Sequence, residues 1–112
     1  MKRGDVVLVL FPNSDLRTAK PRPALLVQAD NLNTGLPQVI VAMITSRVAR
    51  AKHPSRVEVD VSSPAGKQSG LLTNSVIMSD NLATVKQTAI DRVIGALAMS
   101  DIDPALRHTL QL

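Results

Sequence analysis

The sequence predicts a β-rich α+β domain, a small closed or half-closed barrel followed by one C-terminal helix. Three observations lead there. Apolar, β-branched runs recur through the first half of the chain, turn-forming residues separate them, and a single helical pattern occupies the C-terminal end. With 112 residues, 45% of them hydrophobic, and no cysteine, the chain can bury one core without a disulfide. It has no room for a second, so residues 1–112 read as one domain.

The elements follow in order. Residues 6–11, 24–28 and 39–45 are runs without polar alternation, which predicts strands covered on both faces. Residues 56–61 instead alternate Val57, Val59 and Val61 with Arg56, Glu58 and Asp60, the period of a strand with one wet face. Turn chemistry fills 12–15, 31–37 and 62–66. Two short strands are expected at 75–79 and 92–97, separated by a polar stretch at 80–84 suited to a turn or a 3₁₀ piece. The helix is expected near the end. Ser100 offers a cap, Asp101 and Asp103 complement the dipole, and Ile102, Leu106 and Leu110 recur every four residues. Pro104 suits a first turn, where its missing N–H has no helical partner.

Composition narrows the function classes. No cysteine and two histidines exclude a thiolate site and leave too few ligands for a convincing imidazole metal site, so no metal and no cofactor is expected. The first apolar run ends at Pro12, too short for a signal peptide or a membrane span, which reads as a cytoplasmic protein. A formal charge of +4 favours a polyanionic partner but equally describes a merely soluble basic protein. With Phe11 as the one aromatic residue, the chain cannot build a stacking platform for bases. Any RNA binding would use charges and hydrogen bonds.

Several residues could carry chemistry. Arg17, Lys20 and Arg22 cluster at a strand entry where Pro21 and Pro23 flank Arg22, fixing the neighbouring φ angles and holding Arg22 extended. The same pattern also fits an edge strand with its guanidinium in water. Thr45, Ser46 and Arg47 end the third run, with hydroxyls and a cation suited to phosphate or sugar, though such residues are ordinary at strand ends. The run from Arg47 to Arg56 carries Arg47, Arg50, Lys52, His53 and Arg56 with no acid, a clamp for RNA or a solvated loop. His53 and Asp80 are the candidate acid–base groups, and Asn81 is a polar neighbour of the latter. An Asx turn would also explain Asp80. His108 reads as a surface or dipole partner near the helix end.

In order and spacing these pieces resemble the MazF/PemK family of toxin endoribonucleases. Arg3-Gly4-Asp5-Val6-Val7-Leu8-Val9 is similar to its RGD-plus-apolar start, Arg22-Pro23-Ala24-Leu25-Leu26-Val27 to its RPALV strand, and residues 39–46 to its strand ending I-T-S. The similarity continues through Asp80 and Gly95-Ala96-Leu97 into the final helix. It implies an SH3-like or CcdB-like barrel and a homodimer with RNA across the subunit interface. It also implies metal-independent cleavage of single-stranded RNA and a MazE-like antitoxin with an acidic tail. By position the resemblance assigns catalytic roles to Arg22 and Thr45, and RNA contacts are expected from Arg17, Lys20, Ser46, Arg47 and Asn81. One departure stands out: Ala83 falls where many members carry arginine. The alternatives are a CcdB-like gyrase poison, which uses an aromatic anchor that the ending Leu110-Gln111-Leu112 lacks, and a degenerate antitoxin-binding module.

Overall fold

The computed structural model describes residues 1–12, 15 and 17–112. Its sheet has six antiparallel strands: β1 (Asp5–Pro12), β2 (Ala19–Leu26), β3 (Gln38–Thr45), β4 (Arg56–Val59), β5 (Ser75–Lys86) and β6 (Ile90–Ala96). The order across the sheet is β4-β5-β3-β2-β1-β6. Two helices, α1 (Pro64–Gln68) and α2 (Asp103–Leu110), and 3₁₀ turns at Val48–Ala51 and Gln87–Ala89 complete the fold. The β-rich α+β class with a C-terminal helix is the one the sequence predicts.

Connectivity forces the sheet to curl. β3, β2 and β1 lie between β5 and β6, which in a flat sheet sets those two about 19 Å apart. The Gln87–Ala89 turn that joins them spans at most about 14 Å. The sheet therefore bends back on itself. Its edge strands β4 and β6 do not pair with each other, so the barrel is half closed.

That curl explains the apolar runs. Adjacent residues of a strand point to opposite faces, yet Val6 and Val7, Ala24 and Leu25, and Val41 and Ala42 are all fully buried. On one face Val6, Leu25, Ala42, Ile44 and Ile77 pack with Ile102 and Leu106 of α2. On the other Val7, Val9, Ala24, Leu26, Val39 and Val41 are closed over by Ala83, Val85 and Ile90 where the sheet folds back. Each fully buried Val, Leu or Ile contributes about 1.5–3 kcal/mol relative to exposure, so both faces contribute to stability.

Some boundaries differ from expectation, each for a local reason. β2 begins at Ala19 and runs through both prolines, because its pairing with β1 continues from Leu25 to Ala19. β4 stops at Val59, since the Val61 amide is taken by Asn74 Oδ1 at 2.9 Å and Asp60 turns the chain by accepting from Ser62. The turn expected at 62–66 contains α1, capped by Ser63 Oγ accepting from the Gly66 amide at 3.0 Å. The turn expected at 80–84 is instead part of β5. Ala42 pairs with Leu82 but Met43 with Met78, so residues 79–81 form a bulge within one continuous strand. The 3₁₀ turn comes later, at Gln87–Ala89.

The helix entrance also differs. Ser100 does not cap α2. Its N-cap is buried Ile102, and the Ile102 and Asp103 amides both donate to the Met99 carbonyl, at 3.0 and 2.8 Å. Backbone thus satisfies the donors that a serine was expected to serve. Arg3 fastens this end of the helix, donating to Asp103 Oδ1 at 2.7 Å and to the Val27 carbonyl at 2.9 Å. Of the turn expected at 12–15, Asn13 and Ser14 lie outside the described residues. No helix among the described residues is long and apolar enough to cross a membrane.

Candidate functional site

The site begins where two neighbouring strands part. β2 and β3 pair from Leu26–Val41 to Ala24–Met43, and the Val27 amide extends the ladder by donating to the Ile40 carbonyl at 3.1 Å. That bond shows that odd positions of β2 direct their backbone groups toward β3. Leu25 is the next odd position and pairs with Ala42; Pro23 and Pro21 are the two beyond it and have no N–H, so Pro23 cannot donate to the Ile44 carbonyl. The ladder to β3 stops at Ala24, while the ladder to β1 continues through both prolines. Continuing the β2–β3 register two residues further sets Arg22 opposite Thr45.

A groove of about 470 Å³ opens at this end of the sheet. Its lining includes Lys20, Arg22, Thr45, Ser46 and Arg47, so five of the residues singled out in the sequence come together. Tertiary structure adds Arg92 of β6, which no local pattern had marked. Among the described residues, four cations and four hydroxyls, those of Thr45, Ser46, Thr73 and Ser75, thus line one concavity, with no carboxylate beside them. Lys20, Arg22, Arg47 and Arg92 are all exposed. Such a surface attracts a polyanion through charge and orients it through hydroxyl and guanidinium donors. The Thr45 hydroxyl oxygen accepts from the Arg47 amide at 3.2 Å, which leaves its proton free to be donated outward.

The opposite wall is the segment between α1 and β5. Gly70 has φ of +71°, and a Cβ there would stand 2.0 Å from the Ile94 carbonyl oxygen. A Cβ on Gly95 would meet the Ser69 carbonyl carbon at 2.3 Å. Two glycines therefore let this segment cross β6 backbone to backbone. The crossing brings Leu71, Leu72 and Thr73 to the groove beside Arg92 and Ile94.

The remaining candidates lie elsewhere. The Arg17 amide donates to Asp15 Oδ1 at 2.9 Å, and Arg17 does not line the groove. Asp80 and Asn81 sit in the β5 bulge, outside the lining. Asp80 pairs with Arg56 at 2.9 Å, and the hydrogen bond from that guanidinium holds its carboxyl below the usual carboxylate range. A carboxylate so stabilised is a weaker proton acceptor. His53 adjoins this pair. Its Nδ1 accepts from the Ser55 amide at 3.1 Å, and its ring meets that of His108 at 6.0 Å between centroids. The two acid–base candidates therefore share a cluster with each other and with Arg56, away from Arg22 and Thr45. Ala83 is half-buried opposite Val41 in the second core, so the groove has its four cations without an arginine there.

The family model described as PemK-like, MazF-like toxin of type II toxin-antitoxin system matches residues 2–111. Endoribonuclease EndoA of Bacillus subtilis (strain 168) is 34% identical over 116 residues, covering 100% of this chain and 96% of that protein. The Mycobacterium tuberculosis toxin MazF-mt6 superposes with a TM-score of 0.73 at 26% identity, covering 96% of this chain and 97% of the other. MazE-MazF (Form-II) from Deinococcus radiodurans gives a TM-score of 0.74 at 15% identity over 99% and 93% of the two chains, a likeness of fold.

Proposed function

The chain belongs to the PemK-like, MazF-like family of toxins of type II toxin-antitoxin systems, and from that premise we propose that it is an endoribonuclease acting on single-stranded RNA. The observation that carries this reading is the groove in which, among the described residues, four cations and four hydroxyls converge without a carboxylate, with Arg22 in register with Thr45. EndoA and a 25% identical mycobacterial structure are named endoribonucleases, which supports the same activity.

The chemistry follows from the donors. The 2′-oxygen attacks the adjacent phosphorus as its proton leaves, the bond to the 5′-oxygen breaks, and that oxygen takes up a proton. The products are a 2′,3′-cyclic phosphate and a 5′-hydroxyl. Negative charge accumulates on the phosphoryl oxygens. Arg22 meets it with fixed planar donors, and Thr45 adds a hydroxyl already oriented by the Arg47 amide. Arg22 acts by charge rather than by proton transfer, because a guanidinium stays protonated at any relevant pH. Lys20, Ser46 and Arg47 hold neighbouring phosphates and sugars.

The same charge complementarity makes the groove a seat for the acidic, extended tail of a MazE-like antitoxin, and the protein acts in the cytoplasm as a homodimer. Incubation of single-stranded RNA in EDTA, with analysis of both new ends, tests the activity. Cyclic phosphate and 5′-hydroxyl termini are expected, and Arg22→Ala or Thr45→Ala should lower the rate by about 10²–10³-fold, the scale for losing one donor to a developing oxyanion. Intact RNA under these conditions, or full cleavage by Arg22→Ala, overturns the reading.

A further inference from the structure

Leu72 is 94% exposed although the segment that carries it is tethered on both sides. Everything around it is tied down. Ser69 Oγ donates to the Gly66 carbonyl at 2.5 Å and accepts from the Leu71 amide at 3.2 Å. Leu71 packs on the first core, the Gly70 backbone is pressed against Ile94, and Ser75 Oγ donates to the Thr73 carbonyl at 2.8 Å. Leu72 is therefore held out at the rim of the groove, across from the diverging ends of β2 and β3.

Resting on the proposed RNA cleavage, we infer that Leu72 is a positioning residue, an aliphatic wedge that enters between two bases of the bound strand and splays the nucleotide step to be cut. The chain needs such a device. In-line attack by a 2′-oxygen requires the sugar-phosphate backbone to leave its stacked, helical conformation, so the bases flanking the scissile phosphate must separate. The sequence carries a single aromatic residue, Phe11, where RNA-binding surfaces use several to receive unstacked bases. Leucine is among the apolar residues that proteins insert between base steps. Here it faces an array of cations that fixes the backbone while the bases open. The Gly70–Ile94 and Gly95–Ser69 crossings supply rigidity, without which a wedge would be displaced by the stack it must part.

The test uses the full protein and an RNA containing its mapped cleavage step. In that RNA the attacking ribose is 2′-deoxy, so it cannot be cut, and 2-aminopurine replaces the base on the 3′ side. Binding of the wild-type protein should raise 2-aminopurine fluorescence several-fold as the base unstacks. Leu72→Ala should abolish most of that rise and lower kcat on the cleavable RNA by about tenfold, with Kd changed much less. Leu72→Met should restore both, and Arg22→Ala should keep the fluorescence rise while losing cleavage. An undiminished rise with Leu72→Ala overturns the wedge. So does a change of oligomeric mass with that variant, which would assign Leu72 to a contact between copies. If the wild-type protein cleaves no RNA, the underlying enzymatic reading fails instead.

Discussion

Replacing Pro23 by alanine restores one N–H, and that N–H faces the Ile44 carbonyl because Val27 on the same side of β2 already bonds Ile40. The substitution should let the β2–β3 ladder close by one further pair and narrow the mouth between Arg22 and Thr45. Two effects on stability oppose each other. A backbone hydrogen bond contributes about 0.5–1.5 kcal/mol net. Losing the proline restriction of the unfolded chain costs about 0.4–1 kcal/mol. The difference lies between about −0.5 and +1 kcal/mol, so Tm should stay within about 5 °C of the wild type. Activity should not be spared, since misplacing a reacting group by about 1 Å costs up to about 10²-fold. Cleavage is expected to fall ten- to hundredfold or so on that scale. Amide exchange gives the structural readout: the new amide at position 23 should be protected as a strand amide is. Free exchange at that amide together with wild-type cleavage would show that something other than the missing donors keeps the strands apart.

Other outcomes follow from the same geometry. If all four groove cations meet phosphates, the logarithm of RNA affinity should fall with log salt at a slope of about −2.8, and Arg92→Ala should reduce that slope by about 0.7. Titration of binding between 50 and 300 mM salt, values of order set by the Debye scale, measures it. Asp80→Asn should leave cleavage within a few-fold of wild type, because Asp80 lies outside the groove, and His53→Gln should behave alike. The Asp80 carboxyl is held below its unfolded value of about 3.9, so its pairing with Arg56 stabilises the fold above that pH and the benefit disappears as pH falls through the folded value. The pair is a quarter to a third exposed, so Asp80→Asn should lower stability at pH 7 by less than about 1 kcal/mol, a gap that urea titrations should find closed in strong acid. Arg3→Ala should cost about 1–2 kcal/mol by releasing Asp103 of α2 from the segment that leads into β1 and leaving the Val27 carbonyl without its guanidinium donor, with turnover in the cold retained.

Local pattern carried part of this far. Runs without alternation implied strands buried on both faces, and Val6 with Val7 and Val41 with Ala42 are so buried. The alternation from Val57 to Val59 fits a strand with Val59 inside and Glu58 outside. Polarity at Asp80-Asn81 was harder to read. A turn and a bulge demand the same residue types, and only the pairing of Ala42 with Leu82 and Met43 with Met78 distinguishes them. Ser100 likewise has the chemistry of a cap, but the N-cap of α2 falls two residues later, at buried Ile102.

Strand content, the terminal helix and the stiffness of Arg22 between two prolines are local properties, because periodicity and proline geometry act over a few neighbouring residues. Tertiary structure decided what that arginine faces. Whether the missing N–H groups of Pro21 and Pro23 point toward β1 or β3 depends on register, and register is a property of pairs of strands. It likewise decided that Arg92 and Leu72 share the groove, through a glycine crossing that joins segments distant along the chain, and that Asp80 and His53 belong to another cluster. A side chain's type is written at its own position, whereas its neighbours are fixed only when the sheet curls.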